Sequence, residues 1–334
     1  MNRNTKLIFV SVILLILFSL ANLLIGSVRI PLKEFINLFS DTVSEYNYKG
    51  LIKDYRFPKM ITAILAGAGL SVAGLQMQTV FRNPLAGPYV LGISSGAGLG
   101  VALILLSPVA GYFGSLIGLS WFISFFAWIG AVSVLLVIFV VSLRVKDIMT
   151  ILIIGVLLGS AVSAVVSVLQ YFGEQAQLKS YVIWTMGSLN GVTNEQLFVF
   201  APVISAGLLI SFFSLRILNI MLLGENYAKT SGLNILKARV VIFASTGILA
   251  GTVTAFCGPI GFIGIIVPHL ARMIFQTADH KILMPASALI GACIILLSDI
   301  ISQLPGYNGT LPLNTVTAIV GIPIVIRIIL KTKL

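Results

Sequence analysis

Arg56-Phe57-Pro58-Lys59, followed 23 residues later by Arg82-Asn83-Pro84-Leu85-Ala86-Gly87-Pro88, is the stretch that decides the fold. Between the two basic clusters runs Met60 to Phe81, uncharged and long enough to cross a bilayer as a helix. It is rich in small residues: Ala63, Ala66, Gly67, Ala68, Gly69, Ser71, Ala73 and Gly74. In lipid, small residues let neighbouring helices approach closely. The stretch therefore reads as an interior helix of a bundle with a charged mouth at each end.

The rest of the 334 residues agree. The chain is 58% hydrophobic and only 9% charged, with a mean hydropathy of +1.08. A soluble domain carries about 25% charged residues, so lipid must serve as solvent here. The net charge of +11 does not point to nucleic acid, because the basic residues sit singly between apolar spans. Cys257 and Cys293 lie in or beside apolar segments and read as unpaired thiols. Arg3, Lys6 and the apolar run Leu7 to Ile25 read as a retained first span, since no small-residue cleavage site follows.

Ten hydrophobic segments are expected, near 7–28, 60–81, 89–107, 119–143, 148–171, 196–215, 240–256, 262–275, 282–301 and 313–330. The eighth is short and glycine-rich and reads as broken or only partly crossing. With both termini inside, fourteen of the 21 basic residues fall on the inner face. The exceptions are Arg29, Lys33, Lys49, Lys53, Arg56, Lys59 and Lys179. Glu34, Asp41, Glu45 and Asp54 accompany most of them, which leaves Arg56 and Lys59 as an exposed positive rim at the outer end of the second span. They read either as a docking surface for acidic residues or as anchors to lipid phosphates. Phe81-Arg82-Asn83-Pro84-Leu85-Ala86-Gly87 faintly echoes Phe256-Cys257-Gly258-Pro259-Ile260-Gly261 five spans later. An odd number of spans makes any such repeat inverted in the membrane, as in many transporters.

Residues that could carry chemistry are few. Gly92-Ile93-Ser94-Ser95-Gly96-Ala97-Gly98-Leu99-Gly100 lacks the Gly-Lys-Ser/Thr of a phosphate loop and reads as helix packing. His269 and His280, the only histidines, offer no converging metal ligands. Asp299 is the one candidate acid for an ion pathway; a neighbouring serine, Ser298 or Ser302, is an expected partner. Gly155, Gly159, Ser163 and Ser167 recur every four residues on one face of the fifth span, as helix packing or as a smooth pathway wall. In the inner loop 216–239, Glu225 and Lys229 support a helical turn. Gly232 can end that turn. Leu222, Leu223, Tyr227 and Leu233 offer apolar contacts, either to the bundle itself or to a partner's groove.

Taken together, the chain resembles the permease subunits of ATP-binding-cassette importers for ferric siderophores, haem and cobalamin. The resemblance rests on Arg56-Phe-Pro-Lys59, Gly74-Leu-Gln-Met-Gln78, Arg82-Asn-Pro-Leu-Ala-Gly-Pro88 with Leu91-Gly92-Ile93, and Leu223-Gly-Glu225 with Ala228 and Gly232-Leu233. It also rests on Gly258-Pro-Ile-Gly-Phe-Ile-Gly264, Pro268-His-Leu-Ala-Arg272, Asp279-His280 with Pro285, Asp299, and Val316-Thr-Ala318 with Gly321 and Pro323. It implies an all-α integral membrane protein of about ten spans in one permease domain, 1–334, with an inverted repeat and both termini inside. It implies a homodimer in the bacterial inner membrane, with the pathway at the dimer axis. The gate segment 172–195 would hold a short helix near 177–189, around Trp184, Met186 and Gly187. Two cytoplasmic ATPase subunits, which bind the ATP and Mg, would grip the coupling loop at Leu223, Gly224, Glu225, Ala228, Gly232 and Leu233. A periplasmic or lipoprotein binding protein would dock on Arg56 and Lys59. The chain itself would hold no cofactor, no metal and no catalytic residue. Two positions depart from the pattern: Gln303 stands where some cobalamin permeases have an arginine. Thr310 or Leu311, with Asn314, replaces an acid and a glycine. An ion-coupled secondary transporter is the competing reading; it would need a titratable group at the midplane.

Overall fold

A computed structural model of the chain describes residues 2–26, 28, 30–31, 48–107, 119–145, 147–303 and 310–332, and every regular element in them is helical. The charges Arg29, Lys33, Glu34, Asp41 and Glu45 lie outside the described residues. Hydrocarbon offers the backbone no hydrogen-bond partner, so a lipid-facing segment must satisfy itself as a helix. The elements are α1 (Arg3–Leu24), α2 (Tyr48–Val80), α3 (Ile93–Leu105), α4 (Leu119–Arg144), α5 (Ile148–Phe172) and α6 (Gln175–Thr185). There follow α7 (Asn194–Phe213), α8 (Leu215–Met221), α9 (Glu225–Thr230), α10 (Ile235–Cys257), α11 (Ile263–Phe275), α12 (His280–Ser302) and α13 (Leu313–Thr332). Among the described residues, seven helices are long and apolar enough to cross a membrane, and α3, α11 and the apolar part of α13, Leu313–Pro323, are shorter. These match the ten expected segments one for one. The eighth segment is not broken: α11 is one continuous helix of 13 residues, short for a full crossing.

α2 is the axis of the bundle and is buried along most of its length. Pro58 has no N–H and its ring crowds the preceding turn. The helix accommodates it with a π turn at Ile52–Arg56, closed by the Phe57 N–H on the Ile52 carbonyl. α12, α11, α10 and α7 pack around α2. Three glycine contacts set the closest approaches. A Cβ on Gly67 would overlap the Gly291 carbonyl of α12, one on Gly74 the Gly264 carbonyl of α11, and one on Gly96 of α3 the Gly130 carbonyl of α4. Lipid tails are as apolar as leucine, so dispersion between close backbones, not hydrophobic burial, holds such helices together.

α2 and α12 run antiparallel. Lys59 meets Asp299 at one end, Gly67 meets Gly291 in the middle, and Thr79 meets His280 at the other. The first is called here the rim end and the last the loop end. Arg3 at the start of α1 bonds Gln276 and the Ile274 carbonyl after α11, and α13 starts against the gate segment at the rim end. The start of α1 and the end of α13 therefore lie at the loop end, on the same side as α9.

The expected echo has a structural counterpart. α2 is followed by the turn 81–92 and the 13-residue α3; α10 is followed by the turn 258–262 and the 13-residue α11. Each short helix starts behind a left-handed residue, Gly92 at φ 73° and Phe262 at φ 67°. Thirteen residues span about 20 Å, short of the roughly 30 Å hydrocarbon core. α2 runs from rim end to loop end and α10 the reverse, so the second unit is inverted. The Tyr89 hydroxyl ties the two turns, meeting Thr254 Oγ1 at 3.2 Å and accepting from the Ile260 N–H at 3.3 Å.

Two alanine substitutions should separate packing from propensity. Gly74→Ala puts a methyl into the Gly264 backbone and should destabilise by about 1–3 kcal/mol. Gly69→Ala meets only side-chain methyls at 3.5 Å or more and should gain up to about 1 kcal/mol of helix propensity. Thermal unfolding of the detergent-purified chain should move in opposite directions for the two.

Candidate functional site

At the rim end the expected exposed cations are not exposed. Arg56 and Lys59 are each only 8% accessible. Lys59 Nζ lies 2.8 Å from Asp299 Oδ1. Asp299 Oδ2 accepts from Asn22 Nδ2 and from Gln303 Nε2, each at 2.8 Å. Arg56 Nη1 donates to the Leu23 carbonyl at 2.5 Å and Nη2 to the Val28 carbonyl, so the guanidinium caps the end of α1. The reason for the correction is the helical register: the residues that begin α2 face α1 and α12, and a buried cation persists only where partners surround it. Asp299 does not bond Ser298 or the Ser302 hydroxyl; the latter donates to the Asp299 backbone carbonyl. Arg56 and Lys59 line a cavity of about 300 Å³ together with Asp54, Tyr55, Asn190, Thr193 and Gln303, so two cations and an acid share its wall.

Next to it stands the gate segment. α6 covers Gln175–Thr185, starting earlier than the expected 177–189 because Glu174 and Gln177 form a capping box. Met186 and Gly187 end it, with Gly187 at φ 72°. Trp184 packs on the buried Tyr181, ring centroids 6.2 Å apart. The segment is stapled at its end: Ser188 N–H donates to the Cys257 carbonyl at 2.8 Å, and Asn314 N–H to the Met186 carbonyl at 3.2 Å. Asn314 Oδ1 accepts from Gly261 N–H at 2.8 Å. Both departures noted in the sequence are thus structural: Gln303 completes the Asp299 shell and Asn314 joins α13 to the gate and to the turn before α11.

The four small residues of α5 do not share one face. Each step of four drifts about 40° around a helix, enough over three steps to leave the face. Gly155 and Gly159 are buried against the Val90 carbonyl and Ser95, whereas Ser163 and Ser167 are exposed.

The coupling segment at the loop end is built from short helices. α8 leads through Leu222 to Gly224, whose φ of 102° turns the chain into α9. α9 ends in the motif expected of Gly232: Leu233 N–H donates to the Ala228 carbonyl at 2.9 Å, with Gly232 at φ 83°. Ala228 is fully buried and anchors the turn. Leu223 and Tyr227 project, 62% and 53% exposed. Glu225 does not serve Lys229; it accepts from Arg239 Nη2 of α10 at 2.6 Å, and Arg239 Nη1 also donates to the Val145 carbonyl after α4. A buried guanidinium outbids an exposed ammonium because its carboxylate bond is desolvated and charge-assisted. Beside Gly224 opens a cavity of about 590 Å³ lined by Arg82, Asp147, Met149, Leu223, Glu225 and Tyr227. Asp147 caps α5, and the Thr150 hydroxyl and N–H hold its carboxyl below the usual range. Arg82 and Asp147 were not singled out for this face; the φ of 48° at Arg82, which turns it there, has no mark in the sequence.

The chain matches the FecCD transport family over residues 13–331. It is 31% identical over 327 residues to the hemin transport system permease protein HmuU of Yersinia pestis, covering 96% of this chain and 94% of that protein. It is 36% identical over 279 residues to the vitamin B12 import system permease protein BtuC of Citrobacter koseri, covering 83% of this chain and 82% of the relative. A solved structure described as an inward-facing metal-chelate type ABC transporter superposes with a TM-score of 0.85 at 29% identity, covering 99% of this chain and all of that one.

The buried pair at the rim end should behave as one unit. Lys59→Met or Asp299→Leu alone strands a buried charge and should destabilise by about 3–5 kcal/mol. The double variant should lose much less than the sum. Additive losses in a double-mutant cycle on purified protein would mean that the pair is not coupled.

Proposed function

The chain belongs to the FecCD transport family and is a multi-pass membrane permease, not itself an enzyme; from that membership we propose how it works and what it carries. It is the translocation subunit of an ATP-driven importer in a bacterial inner membrane, acting as a homodimer. The loop end faces the cytoplasm, and two partner ATPases bind ATP and Mg there. The rim end faces outside and receives a substrate-binding protein. The cargo is a bulky metal chelate: haem, a ferric siderophore or cobalamin, the first and last being what the two relatives are named for. The pathway runs along the exposed serine face of α5, Ser163 and Ser167, with α6 and its end at Trp184, Met186 and Gly187 as the outer gate.

The observation that carries this reading is the coupling segment. Leu223 and Tyr227 project from a short capped helix beside an open cavity, while Ala228 and the Glu225–Arg239 pair fix that helix to the bundle. Exposed apolar side chains on a rigidly held helix suit insertion into a partner's groove. Docking of acidic residues at the other end draws on Arg56 and Lys59, which line the rim cavity beside Asp54. Charge reversal there is a poor test, since a Glu at 59 would face Asp299 inside the bundle. The ion-coupled alternative loses its candidate group, because Asp299 is committed to Lys59, Asn22 and Gln303.

Co-reconstituted with its ATPases and binding protein in liposomes, the chain should take up at least one of the three chelates only with ATP inside. Leu223→Ala with Tyr227→Ala should weaken ATPase-subunit binding about tenfold, or roughly 1.4 kcal/mol, at unchanged thermal stability. Undiminished binding would remove the coupling role.

A further inference from the structure

Three polar bonds converge on Asn219, in the short α8 that leads into the coupling segment. Asn219 Nδ2 donates to Asp279 Oδ1 at 2.7 Å. Its Oδ1 accepts from the His280 backbone N–H at 2.9 Å and from His280 Nδ1 at 2.8 Å. An amide oxygen only accepts, so His280 carries a proton on Nδ1. His280 Nε2 then meets Thr79 Oγ1 of α2 at 2.8 Å. His280 and Thr79 are both buried. Together with the Lys281 N–H, the Asn219 amide holds the Asp279 carboxyl below the usual range.

This cluster closes the loop end of the α2–α12 pair. The rim end of the same pair is closed by Lys59 and Asp299, and its middle by Gly67 against Gly291. Apolar helix faces can slide past one another. Directional bonds in a low-dielectric interior resist that, since a slipped polar group finds no other partner. Contacts at three levels over the length of a membrane span therefore hold α2 and α12 in one register. A second node ties the start of α8 to the same axis: Gln76 of α2 lies 3.4 Å from Ser214 Oγ and accepts from Ser245 and Thr246 of α10 at 3.1 and 3.0 Å.

We infer that Asn219 is a positioning residue that hooks the coupling segment to a rigid α2–α12 strut, so that displacement of the coupling segment is delivered to the rim end. The inference rests on the coupling role proposed above. It supplies a physical element for long-range coupling: a rigid pair biased at one end by α8 and read at the other by the cation cluster. Thr79 and His280 complete the hook, and the Lys59–Asp299 pair keeps the far end of the strut from fraying.

The test uses the assembled transporter in nanodiscs, with spin labels on exposed residues. Labels at Tyr55 and Ile301 report the strut within one protomer; labels at Tyr55 of both protomers report the rim; labels at Lys229 of both report the coupling segment. Trapping the ATPases with ATP and vanadate should move the Lys229 and rim distances and leave Tyr55–Ile301 unchanged. Asn219→Ala should reduce the rim response to less than half while ATP hydrolysis and the Lys229 response persist. Thr79→Val, which removes the hydroxyl's bonds to His280 and to the Leu75 carbonyl at constant shape, should reduce it less and covers the case in which Asn219→Ala fails to assemble. A purely structural role would lower assembly and hydrolysis together. A strut distance that changes on trapping, or a rim response undiminished in both variants while Lys229 still moves, overturns the inference alone. An immobile Lys229 in the unsubstituted chain overturns the coupling role and the inference with it.

Discussion

The contact of α2 with α12 through Gly67 and Gly291 is the constraint from which the rest of the bundle follows. With no side chain on either partner, two helix backbones touch, and every neighbour must fit around that closest pair. The same solution recurs where α2 meets α11, at Gly74 and Gly264, and where α3 meets α4, at Gly96 and Gly130. A soluble protein would gather these helices by hiding large apolar side chains from water. Here lipid removes that incentive, so close backbone approach and a few polar bonds do the gathering.

Because the axis is so tightly packed, its polar groups have nowhere to go but to one another. Lys59, at the start of α2, would leave a charge in a low-dielectric wall, so Asp299 stands opposite, with Asn22 and Gln303 filling its remaining lone pairs. Arg56, one turn earlier, spends its donors on the Leu23 carbonyl at the end of α1 and on the Val28 carbonyl beyond it. The cations thus do a structural task first. Any attraction of Arg56 and Lys59 for an outside carboxylate competes with Asp54 and Asp299, which makes it weaker than that of two free cations.

The spans, the position of the coupling segment and its Gly232 stop could be read from the chain, because they rest on local rules: runs of apolar residues, charges between them, and a glycine where a helix must end. What stayed hidden were partners far apart in sequence. Asp299 meets Lys59 across 240 residues, Glu225 prefers Arg239 to the Lys229 one turn away, and Asn314 reaches Met186 and Gly261. Local spacing gave the helical turn at Glu225 but not the partner of its carboxylate, and the serines beside Asp299 do not serve its carboxylate, for the same reason. A charged group in this environment takes the most desolvated partner that packing brings within reach, and only packing decides which that is. The face shared by Gly155, Gly159, Ser163 and Ser167 failed on geometry: a four-residue step does not close on the helical repeat.

The two short helices show how the inverted units divide the work. α3 and α11 each begin behind a left-handed residue, and each is too short to cross alone. Their turns meet inside the bundle, where the Tyr89 hydroxyl reaches from the first turn to both Thr254 and the Ile260 N–H of the second unit. A backbone donor exposed in such a turn would be costly in hydrocarbon, and non-helical chain at this depth persists only where protein surrounds it. One unit therefore completes the hydrogen bonding of the other. Asn314 and Ser188 extend the same dependence to the gate, which hangs from the second turn through the Cys257 carbonyl and the Gly261 N–H. Movement of the segment that ends α6 must therefore break or carry those bonds.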